Sequence, residues 1–247
     1  MLITGASGML GTCLKKHLKN CHFIEGRAEV DLSNLKHTSE WFRDKHYNTI
    51  IHCAAFTNLE YCEKNQEKAR FLHSSVVEIL NSFCNKLIYI STVPAWQNKN
   101  YEKKIYFETK KSGELLVLKK KANLVIRTNI YGPSNLALWA YKNLIQGRQI
   151  NGYENSFFNA VHVDQLSCLI KDYFIEKNIA GVHTVSSDKI VSKYSFLKQL
   201  AKSLNVDDSL VLPYKNPKNQ NLVLQNPDIL LSHTKGMELI KNDFKNK

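Results

Sequence analysis

The segment ITGASGMLGTCL, residues 3–14, joins a short apolar run to a stretch with apolar residues at helical spacing. It contains Gly5, Gly8 and Gly11 in a GxxGxxG pattern, at the first strand–helix junction that the sequence predicts. The first glycine permits a tight turn, the second lets a pyrophosphate approach the backbone, and the third lets the helix pack closely on the strand. The pyrophosphate would lie on the unpaired N–H groups of the helix N-terminus. We therefore predict a dinucleotide site with the phosphate-binding residues Gly5, Ser7, Gly8, Met9, Leu10 and Gly11.

Strand-like and helical stretches continue to alternate from this loop to about residue 133, which predicts an α/β fold. Apolar runs such as NTIIHCAA, residues 48–55, are typical of strands in a parallel sheet that is covered on both faces. We predict a Rossmann-type doubly wound parallel sheet with a small C-terminal substrate-binding lobe. The expected dinucleotide-binding part is 1–133 with a return segment at about 157–182, and the expected lobe is 134–156 and 183–247.

Three further predictions concern individual segments of the chain. The stretch 37–46 is predicted to be a helix with Thr38 or Ser39 as its N-cap, because a hydroxyl oxygen can accept from N–H groups of the first turn. The stretch 63–84 is predicted to be one long helix. The last ~30 residues are predicted to be irregular.

The net charge of +12 comes mainly from lysines that are spread along the chain. This dispersed pattern argues against nucleic acid as the specific partner, whereas a small phosphorylated ligand needs only a few of the charges. None of the six cysteines forms a CxxC pair or has metal-ligand spacing with histidine. We therefore expect free thiols, no metal site and a cytoplasmic location. Because no apolar run approaches the ~18 residues of a membrane-spanning helix, we expect no membrane partner.

Tyr106 and Lys110 are four residues apart in a predicted helix and so share one face. A lysine ammonium near a phenol favours the phenolate and would lower the phenol pKa from its usual value of ~10. Thr92 ends the preceding predicted strand, where its hydroxyl could hydrogen-bond the same carbonyl oxygen as the phenol. In a lysine-rich chain the pair also fits a solvated helix face, and the spacing alone leaves both interpretations open.

Four ordered motifs together resemble the extended short-chain dehydrogenase/reductases of the nucleotide-sugar branch. They are the glycine loop, YFETKKSGE at 106–114, VIRTNIYGP at 125–133 and HVD at 162–164. The resemblance implies the catalytic residues Thr92, Tyr106 and Lys110, the last two also contacting the cofactor. It implies further cofactor contacts from Asp31, Leu32, Ala54 and Ala55, and substrate contacts from Thr57, Val93 and Asn129.

Two residues bear on the choice of cofactor. Glu25 ends the second predicted strand, where a carboxylate would accept from a ribose 2′-OH and favour NAD. Arg27 lies two residues on and could hold the 2′-phosphate of NADP. The cofactor is therefore expected to be NADP or NAD, in the form of NADPH or NADH.

Within the branch, motif order and chain length are most similar to those of the dTDP-dehydrorhamnose reductases, which reduce a 4-keto-6-deoxy nucleotide sugar. That group has STDYVF where this chain has STVPAW, residues 91–96. Sugar 4,6-dehydratases carry an acid pair after the threonine, whereas Val93-Pro94 offers no acid to protonate a leaving hydroxyl.

The resemblance therefore implies an NAD(P)-dependent oxidoreductase of cell-surface carbohydrate biosynthesis, a reductase of a nucleotide-linked keto-sugar. Its partner would be the nucleotide-sugar substrate, and family habit implies a possible homodimer. Two alternatives stay open: a nucleotide-sugar epimerase with tightly bound NAD, and a non-catalytic nucleotide-binding regulatory subunit.

Overall fold

A computed structural model of the chain describes residues 1–93, 104–217 and 221–244. The strands of its main sheet are β1 (Leu2–Thr4), β2 (His22–Ile24), β3 (Tyr47–His52), β4 (Cys84–Ser91), β5 (Leu124–Thr128), β10 (Gly181–Ser187) and β13 (Ile229–Leu231). Their order is β13-β10-β5-β4-β3-β1-β2. The pairings of β1 with β2 and β3, of β4 with β3 and β5, and of β10 with β13 are parallel. The predicted α/β fold with a Rossmann-like parallel sheet is confirmed.

Shorter strands form two-stranded sheets, which are β6 (Ile130–Tyr131) with β9 (Val161–His162), β7 (Ile150–Tyr153) with β12 (Val211–Tyr214), and β8 (Phe157–Phe158) with β11 (Val191–Ser192). The α-helices are α1 (Met9–His17), α2 (Leu35–Phe42), α3 (Leu59–Lys64), α4 (Gln66–Arg70), α5 (Val76–Ser82), α6 (Ile105–Val117), α7 (Asn135–Leu144), α8 (Val163–Leu169), α9 (Lys193–Ser203) and α10 (His233–Phe244). Other helical turns are the π-helical segments Phe71–Ser75 and Ile170–Ile175 and the 3₁₀ turn Asp208–Leu210.

The winding of the sheet sets the position of the candidate site. Consecutive apolar residues of β1 and β3, such as Ile50 and Ile51, are fully buried, as expected for parallel strands covered on both faces. Strand β1 pairs with β2 on one side and with β3 on the other, so the direction of winding changes between β1 and β3. Open parallel sheets bind ligands outside the carboxyl ends of their strands at such a point.

The chain divides into two compact units. The first comprises 1–127 and 167–183, and the second comprises 128–166 and 184–247. Each has a hydrophobic core of its own. The sequence predicts that 128–133 and 157–166 belong to the dinucleotide-binding part. These segments belong to the second unit, where β6 pairs with β9. The functional labels of the two parts stay predictions.

Three local predictions differ from the structure in whole or in part. Helix α2 begins at Leu35, and its N-cap is Asn34, whose side chain accepts from His37 N–H at 3.0 Å. Thr38 is instead buried inside the helix. The expected long helix is helical without a break over 66–82, with the segment Phe71–Ser75 wound as a π-helix. It begins later than predicted because Asn65 leaves helical geometry, with φ −129° and ψ 53°.

The C-terminal region is also more regular than predicted, since it contains β13 and the twelve-residue helix α10. Met237, Ile240 and Phe244 are buried in the core of the second unit, which explains why this lysine-rich segment folds as a helix. Among the described residues, no helix is both long and apolar enough to cross a membrane.

Candidate functional site

The glycine loop after β1 has the geometry that its spacing predicts. Gly5 has φ +65°, and a Cβ built on it would lie 2.6 Å from the backbone nitrogen of Ala54. A Cβ on Gly11 would clash with the Gly5 carbonyl oxygen and the Ala6 backbone. These two positions therefore require glycine, one for the turn beside β3 and the other for packing of α1. Gly8 is the exposed N-cap of α1, which has neither a side-chain cap nor an acidic residue in its first turn.

A cavity of about 260 Å³ opens beside this loop, at the carboxyl ends of β1, β2 and β3. The predicted cofactor residues that line it are Gly5, Ser7, Gly8, Glu25, Arg27, Asp31, Leu32, Ala54 and Ala55. Met9, Leu10 and Gly11 belong to the first turn of α1 instead. The residues present fit a dinucleotide, because side chains at the glycine positions would fill the cradle, and no first-turn acid of α1 would repel a phosphate.

The sequence-based reasoning missed several lining residues, of which Phe56 and Leu72 are the largest. Phe56 follows the predicted AA pair directly, but nothing in the local pattern separates an aromatic pocket wall from an ordinary core residue. Leu72 lies in the π-helical segment, which the sequence predicted as part of a regular helix.

The charged residues that line the cavity all have ion-pair partners. Glu25 forms an ion pair with Lys15 of α1. The Nε atom of Arg27 lies 3.9 Å from Asp31, and its guanidinium carbon lies 5.6 Å from the centre of the Phe56 ring. Burial acts to raise the pKa of Asp31, but hydrogen bonds from Ser33 and the Arg27 charge outweigh it and leave that pKa below its usual value. The cavity thus combines two paired acids with a guanidinium held against an aromatic ring.

The three predicted catalytic residues lie in the first unit, at and after the carboxyl end of β4. The Thr92 hydroxyl hydrogen-bonds the phenol of Tyr106, which lies in the first turn of α6. Burial raises the pKa of Tyr106 to about 12, and the hydrogen bond from Thr92 acts in the opposite direction. The prediction that the pKa of this phenol is lowered is therefore wrong, because burial raises the pKa more than the hydrogen bond lowers it.

Lys110 is almost fully buried one turn after Tyr106, so the solvated-face interpretation does not hold. Its ammonium donates to the Ile90 carbonyl oxygen at 2.6 Å and lies 4.2 Å from the centre of the Tyr89 ring. Burial lowers the pKa of Lys110 to about 8, although the charge of Glu114 acts to raise it. A buried lysine whose ammonium reaches the carboxyl end of a central strand is a candidate for a functional residue.

The predicted substrate residues have different surroundings. Thr57 is exposed in the loop before α3, and Val93 is buried directly after Thr92. Asn129 lies in the second unit, where its side-chain amide donates to Leu222 O at 2.9 Å. Their roles stay predictions. The rest of the unusual STVPAW stretch, residues 94–96, lies outside the described residues.

The sheet order and the glycine loop define an α/β protein of the Rossmann type. Comparison with known sequences narrows this class. The chain belongs to the family of the RmlD substrate-binding domain, whose sequence model matches residues 1–235.

Solved structures and one sequence relative agree with this assignment. The dTDP-4-dehydrorhamnose reductase of Clostridium acetobutylicum matches with a TM-score of 0.84, 22% identity and 98% of each chain covered. The enzyme of that name from Bacillus anthracis str. Ames, solved in complex with NADP, matches with a TM-score of 0.82, 22% identity and 97% coverage of each chain. The spore coat polysaccharide biosynthesis protein SpsK of Bacillus subtilis (strain 168) is 22% identical over 232 residues, which cover 85% of this chain and 81% of SpsK. At these identities the structural likeness establishes the fold.

Proposed function

We propose that this protein is an NAD(P)H-dependent reductase of a nucleotide-linked keto-sugar of the 4-keto-6-deoxy type. The observation that carries the proposal is the hydrogen-bonded pair of Thr92 and Tyr106, with the buried ammonium of Lys110 one helical turn away. The pair lies in the same compact unit as the glycine cradle. Family membership and the name of the structural relatives support the substrate class.

The chemistry divides among the three side chains. The bound dinucleotide would supply the hydride to the carbonyl carbon of the sugar. Tyr106 would give its proton to the carbonyl oxygen, and the Thr92 hydroxyl would donate a second hydrogen bond to that oxygen. The positive charge of Lys110 would stabilise the phenolate that remains and would hold the nicotinamide ribose.

Reduction fits the described residues better than dehydration does. Elimination of a sugar hydroxyl needs an acid placed to protonate the leaving group. Val93, the residue after Thr92, is apolar and buried. Reduction of a carbonyl needs only a hydride, which the bound dinucleotide would supply, and one proton, which Tyr106 would donate.

The direct test is a screen of keto nucleotide sugars with the purified protein, following the absorbance of NADPH and NADH. We expect oxidation of the reduced cofactor only with a 4-keto-6-deoxy sugar linked to a nucleoside diphosphate. Turnover without added cofactor, by protein that purifies with bound NAD⁺, would assign the epimerase reaction instead. Binding of dinucleotide with no turnover of any sugar would favour a regulatory subunit.

Arg27 provides a prediction about the cofactor. Since Glu25 is paired with Lys15, we expect the cavity to accept a 2′-phosphate on Arg27 and to bind NADPH more tightly than NADH. Arg27→Leu should then weaken NADPH binding by about 10- to 100-fold, the effect of one lost charge-assisted hydrogen bond, and leave NADH binding nearly unchanged. Fluorescence titration with both cofactors measures this ratio. Arg148→Leu, at an exposed site in the second unit, is the control, and equal losses for both cofactors in the Arg27 variant would contradict the assignment.

A further inference from the structure

His73 is a buried histidine to which the proposed reaction gives no role. It lies in the π-helical segment Phe71–Ser75, and such turns are frequent at functional sites. Its Nε2 atom accepts a hydrogen bond from Phe56 N–H at 3.0 Å, and its Nδ1 atom lies 2.8 Å from Thr109 Oγ1. A backbone amide can only donate, so Nε2 carries no proton and the neutral imidazole holds its hydrogen on Nδ1.

These two bonds connect the cavity wall to the helix that carries Tyr106. The Nδ1–H of His73 donates to Thr109, whose hydroxyl donates in turn to Ile105 O at 2.7 Å in the first turn of α6. At the other end, Phe56 lines the cavity and holds the guanidinium of Arg27 against its ring. One imidazole therefore fixes both the segment after β3 and the start of α6.

The same ring also contacts Tyr106 directly. The two rings pack edge to face, with their centres 5.7 Å apart and their planes at 89°. An edge-to-face contact restricts the ring of Tyr106 without a hydrogen bond to its hydroxyl, so the phenol stays available to Thr92.

The backbone of His73 is held as firmly as its side chain. The Tyr89 hydroxyl donates to the His73 carbonyl oxygen at 2.6 Å. A Cβ on Gly113 of α6 would overlap that carbonyl and the Tyr89 hydroxyl, so helix and π-helical turn approach as closely as glycine allows. Contacts with both β4 and α6 thus fix the backbone that carries the imidazole.

The environment keeps this imidazole neutral. Burial lowers the pKa of His73 to about 2, and the charge of Lys110 acts in the same direction. His73 consequently carries no proton to or from the site near neutral pH, and its contribution is geometric.

We propose that His73 is a positioning residue that couples the dinucleotide cavity to the proton donor. Through Phe56 N–H it holds the cavity wall, and through Thr109 and the Tyr106 ring it sets the orientation of the phenol. The inference rests on the proposed function for its effect on turnover, but its effects on cofactor binding and on Tyr106 can be measured without any sugar substrate.

Two conservative variants separate the two bonds. The amide nitrogen of Asn in His73→Asn reaches about as far as Nδ1 and keeps the bond to Thr109 while losing the bond to Phe56. The amide oxygen of Gln in His73→Gln reaches about as far as Nε2 and keeps the bond to Phe56 while losing the bond to Thr109. Both variants lose the edge-to-face contact with Tyr106, so the difference between them isolates the two bonds. We expect His73→Asn to raise the Kd of the dinucleotide by about 5- to 50-fold, since the partly buried Phe56 N–H loses its acceptor, and to lower kcat less than His73→Gln does. We expect His73→Gln to lower kcat by a similar factor with Kd nearly unchanged.

Thr109→Val provides an independent variant, because it removes the Thr109 side of the bond and leaves the histidine in place. It should lower kcat as His73→Gln does. The kcat of the double variant His73→Gln/Thr109→Val should be no lower than that of either single variant. Parallel thermal melting curves report whether each variant is folded. Equal changes of kcat and Kd in both His73 variants, or none in either, would overturn the inference.

NMR of protein labelled at tyrosine Cζ gives the readout that needs no turnover. The Tyr106 signal, assigned by its loss in Tyr106→Phe, should shift in Thr109→Val, in which the imidazole ring beside Tyr106 is kept. It should also shift further in His73→Gln than in His73→Asn, because both variants lose the ring contact but only His73→Gln loses the bond to Thr109. A purely structural role of His73 would lower the melting temperature, leave this signal where it is in Thr109→Val and shift it equally in the two His73 variants. If the wild type reduces no sugar, the proposed function fails, while the Kd of His73→Asn and the Tyr106 signal still decide the role of His73.

Discussion

Tyr106→Phe should lower kcat by about 10²- to 10⁴-fold, the usual contribution of a positioned general acid, and should leave dinucleotide affinity within a few-fold of wild type. The change removes one oxygen atom and keeps the aromatic ring, so the edge-to-face contact with His73 is retained. Only the proton and the hydrogen bond with Thr92 are lost. Steady-state kinetics with the best keto-sugar and fluorescence titration of the cofactor measure the two quantities.

The pKa of Tyr106 gives this prediction its physical basis. Burial holds the phenol in its protonated form, with a pKa of about 12. A buried phenol of this kind keeps its proton until an acceptor forms beside it, and the developing negative charge on a reduced carbonyl oxygen is such an acceptor. Lys110, one turn further along α6, is then the cationic group that would stabilise the phenolate after transfer.

Tyr47→Phe is the matched control for the loss of a phenol. Tyr47 lies at the start of β3, and its hydroxyl is 3.1 Å from His22 Nδ1, away from the cavity. We expect kcat of this variant to equal that of wild type. Full activity in Tyr106→Phe would remove Tyr106 from the catalytic set and leave the YxxxK motif as a buried structural feature of α6.

The parts of the site that sequence could predict are those that depend on local backbone geometry. Three glycines at fixed spacing after a strand already specify a turn, a close approach and a tight helix contact, and Gly5 and Gly11 meet these requirements. That Thr92 and Tyr106 serve one site was predicted from their positions, because Thr92 follows a strand directly and Tyr106 lies in the first turn of the next described helix.

The parts that sequence could not predict depend on contacts between distant segments. His73 and Phe56 are joined by a hydrogen bond across 17 positions, and His73 meets Thr109 across 36. Nothing in the FLHSS stretch marks the π-helical turn that aims the imidazole. The phenol pKa of Tyr106 was mispredicted for the same reason, since burial is a property of the packed unit and the neighbouring lysine in the sequence is only one contribution to it.

A buried ion pair between α6 and β5 gives the largest expected effect on stability. Arg127 Nη2 donates to Glu114 Oε2 at 2.7 Å and its Nε donates to Oε1 at 3.2 Å, so the pair is bidentate. The Glu114 side chain is 2% exposed and that of Arg127 is 22% exposed. Arg127→Met strands a carboxylate inside the first unit and should reduce the free energy of unfolding by about 3–5 kcal/mol. Glu114→Gln should cost less, because the guanidinium is closer to water and retains an amide oxygen as partner.

An exposed pair on the same helix is the matched control. Arg70 Nη1 lies 2.7 Å from Glu108, but these side chains are 46% and 44% exposed. Glu108→Gln should therefore change the free energy of unfolding by less than about 1 kcal/mol, as surface ion pairs do. Urea titrations followed by circular dichroism compare the variants, and equal losses in Arg127→Met and Glu108→Gln would contradict the burial argument.

The pair also reaches the candidate site through Lys110. Since the charge of Glu114 acts to raise the pKa of Lys110, its removal should lower that pKa further below the value of about 8. Glu114→Gln should then lose the cationic form of Lys110 at a lower pH than wild type does. Because a cationic Lys110 is needed to stabilise the phenolate, the pH at which kcat begins to fall should move down in this variant. An unchanged pH profile of kcat in folded Glu114→Gln would show that the ion pair positions α6 and does not affect the pKa of Lys110.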